Sequence, residues 1–359
     1  MNDSQLEKFT GTSNITIIEA MRKIDLNAKG ILFIQNKKCE LIGCISDGDI
    51  RRWIIKHGNV DATVDVAMNT QPRFVLVDEK SKAKTIMKNS SVEALPIIDH
   101  NKKIVDIIFL SEFFEEKYKP VRKQLDDTPV VIMAGGRGTR LWPYTKILPK
   151  PLIPIGETPI VERIIDCFTE YGISHYYMTV NYKKGMIKSY FSELNPNYHI
   201  TYIEENKPLG TGGSVKLIPD NLEQPLFVTN CDALILADYA DIYDSHIQLK
   251  NDITIVSALK NTIIPYGVLH SGENGALTSI EEKPQLSYFI NTGMYVINPT
   301  LIPLIPDDTV FHMTDLVEKA MELGYKVGLY PVGEDAFLDM GEFNEMKRME
   351  EKLNIVSAY

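Results

Sequence analysis

The stretch from Pro129 to Pro154 sets what this chain can fold into. It opens with Val130-Val131-Ile132-Met133, a short apolar run rich in β-branched residues that reads as a fully buried strand of a parallel sheet. Gly135, Gly136 and Gly138 follow directly after Ala134. Glycines in that place let the backbone approach a ligand closely and point N–H groups at phosphate oxygens. Arg140 and Lys150 add two permanent cations beside the turn. Spacing excludes two familiar phosphate loops. The dinucleotide fingerprint needs a glycine where Leu141 stands and an opening helix where Pro143 stands. The P-loop closes on Gly-Lys-Ser/Thr, and no such triplet ends this turn.

Gly135 to Pro151 match the pattern G-G-x-G-T-R-L-x-P-x-T-x-x-x-P-K-P throughout. On these residues the chain resembles the sugar-1-phosphate nucleotidyltransferases, from roughly Thr128 to the C-terminus. The resemblance implies that Ala134, Gly135, Gly136, Gly138 and Thr139 hold the nucleotide. It also implies that Arg140 clamps the β- and γ-phosphates and that Lys150 stabilises charge at the α-phosphate. Pro208-Leu209-Gly210-Thr211-Gly212-Gly213 is similar to the family segment that lies against the base, which assigns Gly210, Thr211 and Gly212 to nucleotide binding.

Leu226-Phe227-Val228-Thr229-Asn230-Cys231-Asp232 reads as a second buried strand, delivering a carboxylate at its end. Alone, such an Asp is more often a cap or a turn residue. In the family that position holds Mg²⁺, and Asp339 in Phe337-Leu338-Asp339-Met340-Gly341 matches the second metal carboxylate. Mg²⁺ takes one or two carboxylates and completes its octahedron with phosphate oxygens and water. Ile280-Glu281-Glu282-Lys283-Pro284, Asn291-Thr292-Gly293 and Tyr266-Gly267-Val268 match the sugar-site segments. They imply a sugar-phosphate site of Tyr266, Gly267, Glu282, Lys283, Asn291 and Thr292. A Glu-Glu-Lys run by itself is usually a solvated face.

Around these motifs strands and helices alternate. Helical spacing covers 159–169 and 186–191, and strand patterns cover 176–180 and 200–203. The expected fold class is α/β, a Rossmann-like doubly wound parallel sheet with its ligand crevice at the carboxyl ends of the strands.

The first third is built differently, on an imperfect internal repeat. Strand patterns at 31–35 and 41–45, then a helix at 49–56, recur as 95–99 and 104–110 with a helix from Ser111; helical stretches at 17–24 and 81–88 precede the two copies. This β-β-α duplication resembles a tandem CBS pair, of α+β type, a module that often senses adenine nucleotides. Gly43-Cys44-Ile45-Ser46-Asp47-Gly48-Asp49 matches its nucleotide motif, which assigns Gly43, Ser46 and Asp49 to an adenine nucleotide. The same Ser-x-x-Asp is also a helix capping box. The second copy has Phe109 and Glu112 at the hydroxyl and carboxylate positions, so at most one site is expected. Domains are therefore expected at 1–118 and 128–359, joined by a charged linker at 119–127.

A net charge of -10 argues against nucleic acid as a partner and requires a local cationic pocket for anionic substrates. The four cysteines lack ligand spacing and read as reduced thiols, no run approaches bilayer length, and Met1–Lys8 shows no basic apolar signal, so a cytoplasmic protein is expected. A homo-oligomer is also expected. A CBS pair ahead of this transferase resembles the glucosamine-1-phosphate guanylyltransferases of bacterial legionaminic acid synthesis. That implies GTP and glucosamine-1-phosphate, with thymidylyl-, uridylyl- or cytidylyl transfer, or a non-catalytic nucleotide sensor, as the alternatives.

Overall fold

The computed structural model describes residues 3–90, 92–110, 123–219, 221–341 and 343–353. The chain forms two compact units, Met1–Val121 and Arg122–Tyr359.

In the first unit the duplication is complete at the level of strands. One copy runs β1 (Thr10–Thr12), α1 (Ile17–Asn27), β2 (Ile31–Gln35), β3 (Leu41–Ser46) and α2 (Asp47–His57). The other runs β4 (Val75–Leu76), α3 (Ala83–Ser90), β5 (Ala94–Ile98) and β6 (Ile104–Phe109). Each copy makes a three-stranded sheet, β1-β2-β3 and β4-β5-β6, whose first pair is parallel and second antiparallel. The sequence patterns miss β1 and β4 because runs of two or three residues carry no periodicity. Phe9, Phe33, Leu41, Ala94, Ile98, Ile107 and Phe109 from both copies share one core, which is what makes the duplication a single unit. The helix expected from Ser111, the Glu112 position and residues 119–122 of the linker lie outside the described residues.

The second unit is a three-layer α/β domain. Its described strands of three or more residues are β7 (Val130–Met133), β8 (His175–Val180), β9 (His199–Glu204), β10 (Leu226–Asn230), β11 (Ala233–Ile235), β12 (Ile253–Ile263), β13 (Gly267–Ser271), β14 (Leu277–Glu282), β15 (Gln285–Ile297), β16 (Val327–Val332) and β17 (Phe337–Asp339). Helices α4 (Ile160–Thr169), α5 (Lys184–Leu194), α6 (Tyr239–Leu249), α7 (Met313–Glu322) and α8 (Phe343–Lys352) accompany them. The main sheet has the order β9-β8-β7-β10-β15-β12-β16. Parallel pairing of β7 with both β8 and β10 places the glycine-rich turn and Asp232 at the same edge.

The strand–helix alternation predicts a parallel sheet, but the sheet is mixed. β15 runs antiparallel to β10 and to β12. The chain leaves β12, makes the exposed hairpin of β13 and β14, and returns straight into β15 without a helical crossover. A return of that kind brings the strand back antiparallel.

One buried polar group ties α6 to this sheet. His246, 1% exposed, bonds Thr254 Oγ1 through Nδ1 (2.9 Å) and Asn298 Oδ1 through Nε2 (3.1 Å). Burial pushes its imidazole below the ordinary range, the Asn298 contact and Asp252 opposing. A lowered folded-state value means the neutral ring contributes stability that is present above the unfolded value of about 6.5 and is lost as pH falls through the folded value. The melting temperature of the protein should therefore exceed that of His246→Gln most at pH 7, and the gap should shrink on acidification to pH 5. A gap that is constant or widens over that range would contradict this account of His246.

Candidate active site

β7 is buried along its whole length and ends in the glycine-rich turn, anchored where the Ala134 amide donates to the Thr179 carbonyl (2.9 Å). At Gly135 a side chain is impossible without rearrangement, since a Cβ would lie 2.5 Å from Glu205 Oε1. Gly138 has φ +63°, and its carbonyl accepts from the Thr145 hydroxyl at 2.8 Å. These contacts fix the turn over a cavity of about 370 Å³ lined by Gly135, Gly136, Gly138, Thr139, Lys150 and Glu205, and by Gly210 and Thr211 from across the crevice.

The second glycine segment is clamped by the stretch leading into α7. Phe311 donates its amide to the Leu209 carbonyl and accepts from the Gly212 and Gly213 amides (2.8, 2.9 and 2.8 Å), and the Met313 amide donates to Thr211 Oγ1 (3.1 Å).

A second cavity of about 270 Å³ adjoins the first. Asn291, Thr292 and Gly293 line it, where the β12–β15 register slips between Val256 and Ser257 and leaves Thr292 and Gly293 out of the ladder beside Asn291. Asn291 donates from Nδ2 to the Tyr295 hydroxyl (2.6 Å), and Thr292 donates to the Val256 carbonyl (2.7 Å). The Thr292 hydroxyl thus fixes the bulge. Tyr266, Gly267, Glu282 and Lys283 line neither cavity. They stand on the exposed hairpin, where Gly267 faces Glu282 across the strands and Tyr266 is 74% exposed. The structure therefore brings Asn291 and Thr292 to the crevice and leaves these four outside its walls.

Where the cavities meet, four charges converge. Lys150 Nζ pairs with Asp232 Oδ2, both side chains being largely buried. β11 and β17 pair with Ala233 opposite Asp339, and the Met340 amide donates to the Asp232 carbonyl (2.8 Å), so the two carboxylates are held as neighbours. A side chain at Gly341 would meet Asp339 Oδ2 at 2.7 Å and Arg140 Nη1 at 3.5 Å, so both side chains border that glycine. Burial pushes the Asp339 carboxyl above the ordinary range and the Asp232 charge adds to this, while Lys150 and Arg140 pull the other way. Cys231 lies in the same wall, but burial pushes its thiol up to about 12, so it is a neutral thiol and no nucleophile. Asp232 and Asp339 are the two carboxylates that this wall brings together and that could hold a metal ion. Among the described residues no group of three or more His, Cys, Asp or Glu is gathered for one.

Glu205 is the residue that sequence reasoning missed. It is 6% exposed, accepts from the Leu209 amide through Oε2 (3.2 Å), and turns its other oxygen towards Gly135. Burial pushes its carboxyl up, with the Leu209 amide and the neighbouring Thr179 hydroxyl opposing. The Glu204-Glu205 pair hides it, since the first of the two is an exposed partner of Lys184 and Lys188.

Residues 129–354 match the family model described as nucleotidyl transferase. The chain belongs to the nucleotidyl transferase family. A mannose-1-phosphate guanyltransferase of Yarrowia lipolytica is 31% identical over 183 residues, covering 49% of this chain and 50% of that protein. The chain thus spans about half the length of such curated relatives. A D-glycero-alpha-D-manno-heptose 1-phosphate guanylyltransferase of Aneurinibacillus thermoaerophilus is 30% identical over 48% of this chain and 75% of that protein. The crystal structure of HddC from Yersinia pseudotuberculosis, solved also in complex with GMP-PN, superposes with a TM-score of 0.51 at 28% identity, covering 63% of this chain and 99% of that one.

In the first unit, Ser46 and Asp49 form a reciprocal cap on α2. The Ser46 amide and hydroxyl donate to Asp49 Oδ2 (2.9 and 2.7 Å), the Asp49 amide donates to Ser46 Oγ (3.2 Å), and Asp49 Oδ1 pairs with Arg52 (2.6 Å). Gly43 packs tightly, since a Cβ there would meet Met68 Sδ at 2.8 Å. Phe109, in place of a hydroxyl in the other copy, is buried against Phe9 at 5.1 Å.

Proposed function

We propose that the second unit transfers a guanylyl group from GTP to a sugar-1-phosphate, glucosamine-1-phosphate being the acceptor we favour, and releases pyrophosphate. The observation that carries this reading is the two-chambered crevice, with two cations and two carboxylates at its junction. A nucleoside triphosphate fits the glycine-lined chamber and a sugar phosphate the other. An oxygen of the sugar phosphate attacks the α-phosphorus and forms the new P–O bond. The bond from that phosphorus to the bridging oxygen breaks, and pyrophosphate leaves with the electron pair. The attacking phosphate is already ionised at neutral pH, so no side-chain base is needed. What the site must supply is alignment and charge neutralisation.

Arg140 clamps the β- and γ-phosphates, and Lys150 turns from Asp232 to the α-phosphate. Asp232 and Asp339 suit Mg²⁺, which takes one or two carboxylates and fills its remaining positions with phosphate oxygens and water. Bound there, the ion would offset negative charge on the transferring phosphoryl group. Gly210 and Thr211 lie against the base. Glu205 favours guanine, because a carboxylate accepts from adjacent N–H donors such as N1–H and the N2 amino group. The uracil and thymine edge offers one N–H between two carbonyls, which a carboxylate repels. Relatives named for guanylyl transfer support the same choice. The hairpin residues Tyr266, Gly267, Glu282 and Lys283 belong to the sugar site in this reading.

Pyrophosphate release measured across GTP, UTP, dTTP, CTP and ATP with several hexose- and heptose-1-phosphates tests the assignment. GTP should exceed the other triphosphates by tenfold or more in kcat/KM, and Glu205→Gln should narrow the GTP:UTP ratio at least tenfold, since a polar edge read in a dry pocket discriminates strongly. Preference for dTTP or UTP in the native protein would overturn the base assignment.

For the first unit we infer an adenine-nucleotide sensor of the CBS type, supported by the duplicated strand order and by the motif at Gly43, Ser46 and Asp49. A ligand there must compete with the cap bonds of Ser46 and Asp49. Isothermal titration of AMP into the full chain should show binding that Asp49→Ala weakens at least tenfold. Equal affinity in the variant would leave the pair as a helix cap only.

A further inference from the structure

Five residues line both chambers: Met133, Arg140, Thr211, Asn230 and Asp232. Arg140, Thr211 and Asp232 have roles in the reading above, and Met133 is apolar. Asn230 is unassigned. It ends β10 two residues before Asp232, with its main chain in the ladder opposite Met133 of β7. Its carbonyl accepts from the Thr229 hydroxyl at 3.2 Å, but its side-chain amide has no hydrogen-bond partner among the described residues. Half-buried amides without a protein partner are uncommon and leave their bonds to solvent or ligand.

The surroundings keep that amide in place. Gly293, in the bulge of β15, has φ +81°, and a Cβ there would lie 2.2 Å from Asn230 Nδ2 and 2.7 Å from its Cγ. Any side chain at 293 would evict the amide. The bulge that lines the sugar chamber is thus the surface that packs the Asn230 side chain at the junction.

We propose that Asn230 contacts the reacting phosphates themselves, its amide donating to a non-bridging oxygen where the nucleotide α-phosphate meets the sugar phosphate. This rests on the transferase reading and adds to it a neutral donor beside the charged groups. An N–H donor aimed at developing phosphoryl charge lowers the barrier without moving a proton. Because the contact matures only when both chambers are filled, its loss falls on turnover more than on the binding of either substrate.

The test is steady-state kinetics of Asn230→Ala and Asn230→Asp with the triphosphate and sugar phosphate that the native protein accepts, together with GTP titration and melting temperatures. Asn230→Ala should lower kcat at least tenfold, with both KM values and the GTP Kd within about threefold and the melting temperature nearly unchanged. Asn230→Asp, of the same shape but carrying a charge towards the phosphates, should lose more than the alanine variant. Near-native kcat in Asn230→Ala, an aspartate variant more active than the alanine one, or losses that track a fall in melting temperature would each overturn the proposal. Absence of pyrophosphate release by the native protein with every substrate pair would instead defeat the transferase reading, and this proposal with it.

Discussion

The Lys150–Asp232 ion pair, with Arg140 and Asp339 beside it, is the interaction on which the rest of the catalytic unit depends. Two cations and two carboxylates balance one another here, and the Lys150–Asp232 pair is largely buried, so that removing either partner would leave a costly unpaired charge. They come from three separate segments, the glycine-rich turn with its basic loop and the two that carry Asp232 and Asp339, and the sheet is what assembles them. β7 and β10 run side by side in parallel, which puts the glycine-rich turn next to Asp232. The short pairing of β11 with β17 brings Asp339 from more than a hundred residues away. In the proposed reading, phosphate-bearing substrates would enter by exchange, the cations turning from carboxylates to phosphates.

Much of this was legible because its signals are local. A buried apolar run followed by three glycines specifies a strand and a turn within one stretch, and the structure has both there, with a cavity lined by the turn. Asp232 and Asp339 are likewise marked by the strands that deliver them. What escaped the sequence is set by long-range register. The reversal of β15 follows from the hairpin return out of β12, which no periodicity records. Glu205 reads as half of an acidic pair until the end of β9 directs one carboxylate to solvent and the next inward. Asn230 looks like an ordinary strand terminus until Gly293 is packed against its amide. Tyr266 and Glu282 show the reverse case, in which a motif is plain in sequence yet stands outside the cavity walls.

The first unit shows why motif and structure can coincide without separating two roles. A serine hydroxyl and a carboxylate three residues apart satisfy the free amides at a helix start, and the same atoms suit a ribose or a phosphate. In the structure the cap bonds are made in full. The duplicated β-α-β-β order is the firmer result, since two short leading strands invisible in the sequence pair in the same sense in both copies.

The central claim is a displacement at the α-phosphorus, and the fate of label tests it most directly. GTP labelled at the α-phosphorus should deliver that label to a sugar nucleotide, in step with consumption of sugar-1-phosphate, while label at the γ-phosphorus appears in pyrophosphate. Release of the α-label as GMP without a sugar acceptor, or transfer of the γ-label to the sugar, would contradict it.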